Sequence, residues 1–267
     1  MIWDKTPIPP RIENKIAGLS WSADTIGMSG STILLSNDMV LKIEKVNRSS
    51  ENEKKLLAWL DRKLPVPKII EEAIQDEYSF LLMSRLPGEM SCSDNNIKNI
   101  SETVSALALG LKKLWQIDIT NCPYRNDTAE KLAQAKFNIE NDLVDTDDFN
   151  PETFGPAGFK DIDGLYNFLV HNRPEEDFVF SHGDFCLPNV FIKGREVTGF
   201  LDWGSAGIAD KWQDIALCVR SLRYNYLDYP GYTEADFEYY KKQLFNELGM
   251  EPDEEKIRYY ILLDELF

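Results

Sequence analysis

The pattern of apolar residues changes from strand-like to helix-like about a third of the way along the chain, and this change limits the folds open to it. Before the change, Thr32–Leu35 and 39–43 are apolar segments that flank a short polar turn and predict a hairpin. After it, residues 100–117 carry apolar side chains at helical spacing. We therefore predict an α+β fold of two lobes, with a small β-rich N-lobe (1–86) and a larger, mostly helical C-lobe (87–267).

Four further segments add detail to this organisation. Ser50 and Glu53 have the spacing of a capping box, which predicts that a helix begins at Ser50. The Leu-Pro-Gly sequence at 86–88 predicts the hinge between the lobes. Residues 140–160 are rich in Asp, Pro and Gly and predict an acidic loop, and a second hairpin is expected over 190–201.

The charge balance narrows the choice of partners. The chain has 29 basic and 45 acidic residues, a net charge of −16, which repels nucleic acid and anionic lipid and attracts cations. The four cysteines stand far apart, as is usual in a reducing compartment, and no apolar run reaches membrane-spanning length. We expect a cytoplasmic monomer or weak dimer that binds neither nucleic acid nor membrane. Many cytosolic proteins are acidic simply because acidity keeps them soluble, so the charge indicates a small cationic substrate only if acidic residues cluster at a site.

The residues from His182 to Asp202 have the spacing of a phosphoryl-transfer site. Such a site needs a carboxylate that accepts the proton of the attacking hydroxyl and oxygen ligands that hold magnesium against the phosphates. Asp184 and Asn189 stand on one predicted loop, and the hairpin that follows returns the chain so that Asp202 can reach the same ion. We predict Asp184 as the base, Asn189 and Asp202 as magnesium ligands, and ATP and Mg²⁺ as cofactors. His182 is expected to brace the loop.

Two upstream features fit the same interpretation. Lys42 lies in a predicted strand from which it could reach ATP phosphates, and Glu53 shares the buried face of the next helix and could pair with it. The glycine-rich residues Gly27 to Ser31, which include Ser29, are either a loop that closes over the phosphates or an ordinary hairpin turn.

Taken together, these residues resemble the aminoglycoside 3′-phosphotransferases, which are bacterial antibiotic-resistance kinases. The resemblance runs through almost the whole length of the chain. Its most specific stretches are VFSHGD at 179–184, GFLD at 199–202, ADKWQDIA at 209–216 and YYILLDELF at 259–267.

This resemblance implies a protein-kinase-like bilobal fold. It also implies ATP- and magnesium-dependent phosphorylation of an aminoglycoside hydroxyl, the 3′-hydroxyl by analogy, and resistance to the antibiotic. It gives Asp184, Asn189, Asp202, Lys42 and Glu53 the roles predicted above. It also implies that Ser84 and Leu86 meet the adenine through backbone groups, with Met83 beside it. The remaining implied residues are those that bind substrate ammonium groups: Asp264, Glu265 and the C-terminal carboxylate of Phe267.

Some positions depart from the family pattern and leave alternatives open. Ser205 stands where close relatives usually carry Arg, and Tyr224 where an acidic residue is expected. One alternative is a kinase of another small cationic metabolite, of the choline, ethanolamine or fructosamine type, and Tyr224, Tyr226 and Tyr229 could then form an aromatic cage. A catalytically silent nucleotide-binding module is a third hypothesis. A protein substrate is disfavoured because no A-P-E motif follows Asp202.

Overall fold

The computed structural model describes residues 7–23, 31–145, 149–150, 152–156 and 158–267. A β-rich N-lobe leads into a larger helical C-lobe, so the predicted α+β bilobal fold is confirmed. The exact boundary at residue 86 stays a prediction.

The N-lobe is built on one antiparallel sheet in the order β1-β2-β3-β5-β4. The sheet buries a small core that includes Leu41, Ile43, Phe80 and Leu82, and helix α1 covers it with Ile12. Its strands and helices are β1 (Ser22–Ala23), β2 (Thr32–Leu35), β3 (Met39–Lys45), β4 (Ile69–Gln75), β5 (Tyr78–Ser84), α1 (Pro10–Ile16) and α2 (Arg48–Leu60).

The C-lobe consists of helices around two small sheets, which are β6-β8-β9 and the pair β7–β10. Its core is continuous with the inner faces of α2 and β5, which anchors the N-lobe to it. Among the described helices, none is long and apolar enough to cross a membrane. The elements are α3 (Asp94–Lys98), α4 (Ile100–Trp115), α5 (Thr128–Glu140), α6 (Ile162–His171), α7 (Lys211–Leu227), α8 (Glu234–Leu248), α9 (Glu254–Asp264), β6 (Glu89–Met90), β7 (Phe178–Ser181), β8 (Val190–Lys193), β9 (Glu196–Phe200) and β10 (Gly207–Asp210).

The start of α2 corrects one prediction. The helix begins at Arg48, because Asn47 is the N-cap and forms the capping box with Ser50. The predicted box of Ser50 with Glu53 is therefore wrong. The Glu53 side chain instead bonds to Lys42, an interaction across the lobe that a local spacing rule does not include.

The other local predictions are mostly confirmed. Both predicted hairpins form, as β2–β3 and β8–β9. Glu140 is still the last residue of α5, and the described residues of 141–160 form no helix or strand apart from an isolated bridge between Phe154 and Phe159. Strands β4 and β10 were not predicted: Ile69–Gln75 has two adjacent glutamates in place of a clean alternation, and Gly207–Asp210 is too short to give a periodic signal.

Candidate active site

Lys42, on the central strand β3, is the buried centre of a charge cluster. Its Nζ lies 2.8 Å from Glu53 Oε2, 3.4 Å from Glu44 Oε1 and 3.9 Å from Asp202 Oδ1. Burial alone would lower the pKa of Lys42, but the three carboxylates outweigh burial and raise that pKa above its ordinary value. Lys42 therefore stays protonated and gives the cleft a fixed positive charge.

The candidate catalytic loop (182–189) is held through its backbone by Asp214 of α7. The N–H groups of His182 and Gly183 donate to its two carboxylate oxygens, at 2.8 and 2.9 Å. Asp214 is completely buried, and burial raises its pKa while the two backbone donors oppose that shift. The His182 Nε2 donates to the Leu201 carbonyl at 2.8 Å, which is the bracing position expected of this side chain.

Gly183 is required by the path of the chain at the start of this loop. Its φ is +80°, and a Cβ placed there would lie 2.0 Å from the Ser205 carbonyl oxygen. The absence of a side chain thus lets the loop cross directly over the segment that follows Asp202.

Asp184 and Asn189 are joined side chain to side chain. The Asn189 Nδ2 donates to the Asp184 carbonyl at 3.0 Å and to Asp184 Oδ2 at 2.8 Å. This orientation commits the amide nitrogen to Asp184 and leaves the amide oxygen of Asn189 facing away from it, where it can act as a metal ligand.

Asn189 and Asp202 are brought together by the β8–β9 hairpin. Val190 pairs with Phe200, and the Leu201 N–H donates to the Asn189 carbonyl at 2.9 Å, so the two candidate ligands stand at neighbouring ends of the hairpin. One carboxylate and one amide oxygen, completed by phosphate oxygens and water, make a donor set that suits Mg²⁺. The residues present therefore fit the predicted ion.

The first turn of α2 rests on the segment after Asp202. A Cβ on Gly204 would lie 1.8 Å from Ser49 Oγ, and Asn52 Nδ2 donates to the Gly204 carbonyl at 3.4 Å. The helix that carries Glu53 is thus in direct contact with the candidate metal-binding segment.

A cavity of about 440 Å³ opens beside Asp184. Its walls come from the first turn of α2, the first turns of α5, the 204–206 segment and the end of the chain. Asp264 and Phe267 line it, so the structure brings these two predicted substrate-binding residues together with the predicted base.

Asp264 is already paired within this cavity. Its Oδ2 lies 2.6 Å from Arg220 Nη2 and its Oδ1 lies 3.7 Å from Lys131 Nζ. The same Lys131 ammonium lies 4.8 Å from the centre of the Phe267 ring. An incoming ammonium group would therefore share Asp264 with two cations of the protein.

Glu265 faces a different neighbour. Its Oε1 accepts a hydrogen bond from Thr153 Oγ1 at 2.9 Å, while its Oε2 is buried without a partner among the described residues. Burial raises the pKa of Glu265, with the Thr153 hydrogen bond opposing the shift. Glu265 does not line the cavity, and its predicted contact with substrate stays a prediction.

The predicted adenine site lies at the end of β5. Met83 is buried, and the Ser84 N–H donates to the Lys68 carbonyl at 2.9 Å. A contact between Ser84 and adenine would therefore use its carbonyl. Leu86 is half-buried, and its N–H has no hydrogen-bond partner in the described part of the chain. The remaining predicted nucleotide-binding residues, Gly27 and Ser29, lie outside the described residues.

Sequence reasoning missed Asp214, Arg220 and Lys131. Each is charged and stands on a helix, where a charged residue is usually solvated. Asp214 lies within the ADKWQDIA stretch at 209–216 that carries the resemblance, but that stretch alone gives it no role, and no local pattern marks Arg220 or Lys131. Their roles depend on contacts with residues 30 or more positions away.

The fold and the site together define the class: a bilobal, kinase-like phosphotransferase. The sequence model of the phosphotransferase enzyme family (APH) matches residues 20–253. An aminoglycoside 3′-phosphotransferase from Enterococcus faecalis is 38% identical over 273 residues, covering 98% of this chain and 99% of that protein. Another, from Niallia circulans, is 40% identical over 223 residues, covering 82% and 79% respectively.

Solved structures of aminoglycoside phosphotransferases have the same fold as this chain. A crystal structure of a type VIII aminoglycoside-3′-phosphotransferase covers 96% of this chain and 97% of its own with a TM-score of 0.79 at 26% identity. The aminoglycoside phosphotransferase APH(3″)-Id of Streptomyces rimosus shares the fold with a TM-score of 0.81 at 20% identity, over 96% and 95% of the two chains. This chain belongs to the phosphotransferase enzyme family.

Proposed function

We propose that this chain transfers the terminal phosphoryl group of ATP to the 3′-hydroxyl of an aminoglycoside antibiotic and so confers resistance to it. The observation that carries the proposal is the position of Asp184. This carboxylate is hydrogen-bonded to Asn189 on one side and forms part of the wall of an open cavity on the other. The relatives named aminoglycoside 3′-phosphotransferases support the choice of acceptor.

In this mechanism Asp184 accepts a hydrogen bond from the substrate hydroxyl and takes its proton as the oxygen attacks the γ-phosphorus. The new O–P bond forms as the bond between the γ-phosphorus and its bridging oxygen breaks, and ADP leaves with that electron pair. Lys42, held by Glu53, positions the phosphates of ATP. Asn189 and Asp202 would hold Mg²⁺, which when bound neutralises phosphate charge.

Substrate recognition in this proposal is electrostatic. The net charge of −16 favours a polycationic acceptor, and Asp264 lies in the cavity with Asp184. We assign Asp264, Glu265 and the terminal carboxylate of Phe267 to substrate ammonium groups. Each such charge-assisted hydrogen bond contributes about 1.5–3 kcal/mol.

The proposal also includes a cellular location and an oligomeric state. The four cysteines are free thiols, in keeping with a cytoplasmic site of action. We expect a monomer or weak dimer that has no nucleic-acid partner.

A substrate panel tests the proposed function. The chain is incubated with ATP, Mg²⁺ and, in separate reactions, a kanamycin-type aminoglycoside, its 3′-deoxy counterpart, choline, ethanolamine and a fructosamine. We expect ADP formation with the first acceptor only, and NMR should place the new phosphate on its 3′-oxygen.

Turnover of choline or ethanolamine in preference to the aminoglycoside would favour the alternative kinase. The structure offers that alternative little support, because Tyr226 is buried and stacks in parallel on Tyr232 with ring centres 4.3 Å apart. Equal turnover of the 3′-deoxy compound would contradict the choice of hydroxyl.

A further inference from the structure

Three basic side chains line the cavity beside Asp184: Arg48, Arg125 and Lys131. Two of them are neutralised locally. Arg125 makes two contacts with the Asp127 carboxylate, at 2.8 and 2.9 Å. Lys131 lies 3.7 Å from Asp264.

Arg48 differs from the other two. Within the described residues no carboxylate lies in ion-pair distance of it, and its only hydrogen bond is a 3.3 Å contact from Nη1 to the amide oxygen of Gln134. Arg48 is exposed, so water hydrates its charge, but a guanidinium with no carboxylate partner among the described residues repels a polycation that enters the cleft. Its placement is suited instead to an anion.

The backbone fixes Arg48 relative to the reacting centre. Arg48 is the first residue of α2, so the positive end of a 13-residue helix adds to its charge. The next residue, Ser49, packs on Gly204, two positions after Asp202, and the same helix carries Glu53. The arginine is therefore tied to both of the segments assigned to the phosphates and their metal.

We propose that Arg48 is a catalytic residue that donates hydrogen bonds to the γ-phosphate oxygens of ATP as the phosphoryl group moves to the acceptor. The guanidinium transfers no proton: Asp184 takes the proton of the hydroxyl, and ADP takes the electron pair of the broken bond. Arg48 stabilises the charge on the equatorial oxygens during transfer. This inference rests on the proposed function for its phosphate donor.

Four variants test this role: Arg48→Gln, Arg48→Lys, Gln134→Ala and the control Arg62→Gln. Arg62 is 93% exposed and lies just beyond the C-terminal end of α2, so its replacement removes the same charge far from the cavity. The measurements are kcat, both KM values, and the affinities for ADP and for a non-hydrolysable ATP analogue that retains a γ-phosphate.

We expect Arg48→Gln to lower kcat by about ten- to a hundredfold, the loss of one charge-assisted contact in the transition state. Its affinity for the ATP analogue should fall relative to its affinity for ADP. Arg48→Lys should restore part of both properties. Gln134→Ala, which removes the hydrogen bond and keeps the cation, should have a much smaller effect, and Arg62→Gln should behave like the wild type.

Two results would overturn the assignment. If Gln134→Ala reproduced the full loss, Arg48 would act only as a clamp between the lobes. If Arg48→Gln kept a wild-type kcat, the proposed contact between Arg48 and the γ-phosphate would be wrong. The same would follow if its affinities for ADP and for the ATP analogue fell equally. The affinity ratio is independent of the acceptor, so it still tests Arg48 if the wild-type chain phosphorylates no aminoglycoside.

Discussion

At the scale of single residues, Lys42 connects parts of the site that are distant in sequence. It bonds to Glu53 on α2 and faces Asp202 beyond β9, and its side chain is only 11% exposed. A buried ion pair of this kind adds little net stability, but removing one partner leaves an uncompensated charge. The pair is therefore better explained by positioning than by stability.

The first prediction concerns this pair. Replacement of Glu53 by Gln should raise the KM for ATP and reduce the free energy of unfolding by about 3 kcal/mol, the low end of the cost of breaking a buried pair. Glu44 still faces Lys42 and limits the loss. Glu51→Gln, at an exposed position of the same helix, is the control. If the two substitutions changed the KM for ATP and the free energy of unfolding, measured by chemical denaturation, to the same extent, the role assigned to the Lys42–Glu53 pair would be wrong.

The second prediction concerns Glu265 and pH. Burial raises its pKa above the ordinary 4.5, so the folded chain binds this proton more tightly than the unfolded chain does. The resulting stabilisation is fully present below about 4.5 and is lost as the pH rises through the raised pKa. Glu265→Gln has no carboxyl group to titrate at this position. Its free energy of unfolding should therefore increase relative to that of the wild type as the pH rises from 4.5 to 7.

Urea denaturation at a series of pH values measures this difference. The matched control is Glu255→Gln, at an exposed position in the first turn of the same helix region. A difference between Glu265→Gln and the wild type that stays constant with pH, or that changes in the opposite direction, would show that the buried carboxyl is not the cause.

At the scale of elements, the candidate catalytic loop is positioned by hydrogen bonds to its backbone. Asp214 on α7 accepts two of its N–H groups, and Gly183 crosses the 204–206 segment with no room for a side chain. The 182–189 loop, helix α7 and the β8–β9 hairpin with the segment that follows it therefore pack as one unit. A change in any of them should alter the position of Asp184.

The third prediction compares two glycines with similar backbone angles. Gly183 and Gly231 have φ of +80° and +90°, but a Cβ at Gly231 meets nothing within 4 Å. Gly231→Ala should cost only the left-handed conformation, about 1–2 kcal/mol. Gly183→Ala adds overpacking against Ser205, so it should cost about 3 kcal/mol or more and reduce kcat sharply. Similar unfolding free energies and similar kcat values for the two variants would refute the close crossing.

The elements also indicate what a sequence can and cannot predict. The β2–β3 and β8–β9 hairpins could be predicted because turns are local. The motif of Asp184, Asn189 and Asp202 is also local, so the sequence alone suggests a site there, and the roles of these residues stay predictions. The supporting contact of Asp214 could not, since it joins residues more than 30 positions apart. The start of α2 could not be predicted from the Ser50–Glu53 spacing, because the observed capping box joins Asn47 to Ser50 and has neither Glu nor Gln at its N3 position.

At the scale of the whole molecule, the net charge of −16 acts on every encounter with a cationic acceptor. Charge in and around an open cavity is screened by salt, since the Debye length falls from about 10 Å at 0.1 M to about 3 Å at 1 M. The fourth prediction is that the KM for the aminoglycoside rises with ionic strength while kcat changes little. Initial rates over a series of KCl concentrations measure both, and a KM that does not respond to salt would contradict recognition by charge.

The central claim is that Asp184 performs the proton transfer in a site that binds nucleotide independently of it. Single-turnover phosphorylation of a kanamycin-type acceptor, combined with calorimetric titration of nucleotide, compares the wild type with Asp184→Asn. We predict that the rate of phosphoryl transfer falls by about 10² to 10⁴, the usual contribution of a general base, while the Kd for ATP is unchanged. A transfer rate in the variant close to that of the wild type would contradict the account.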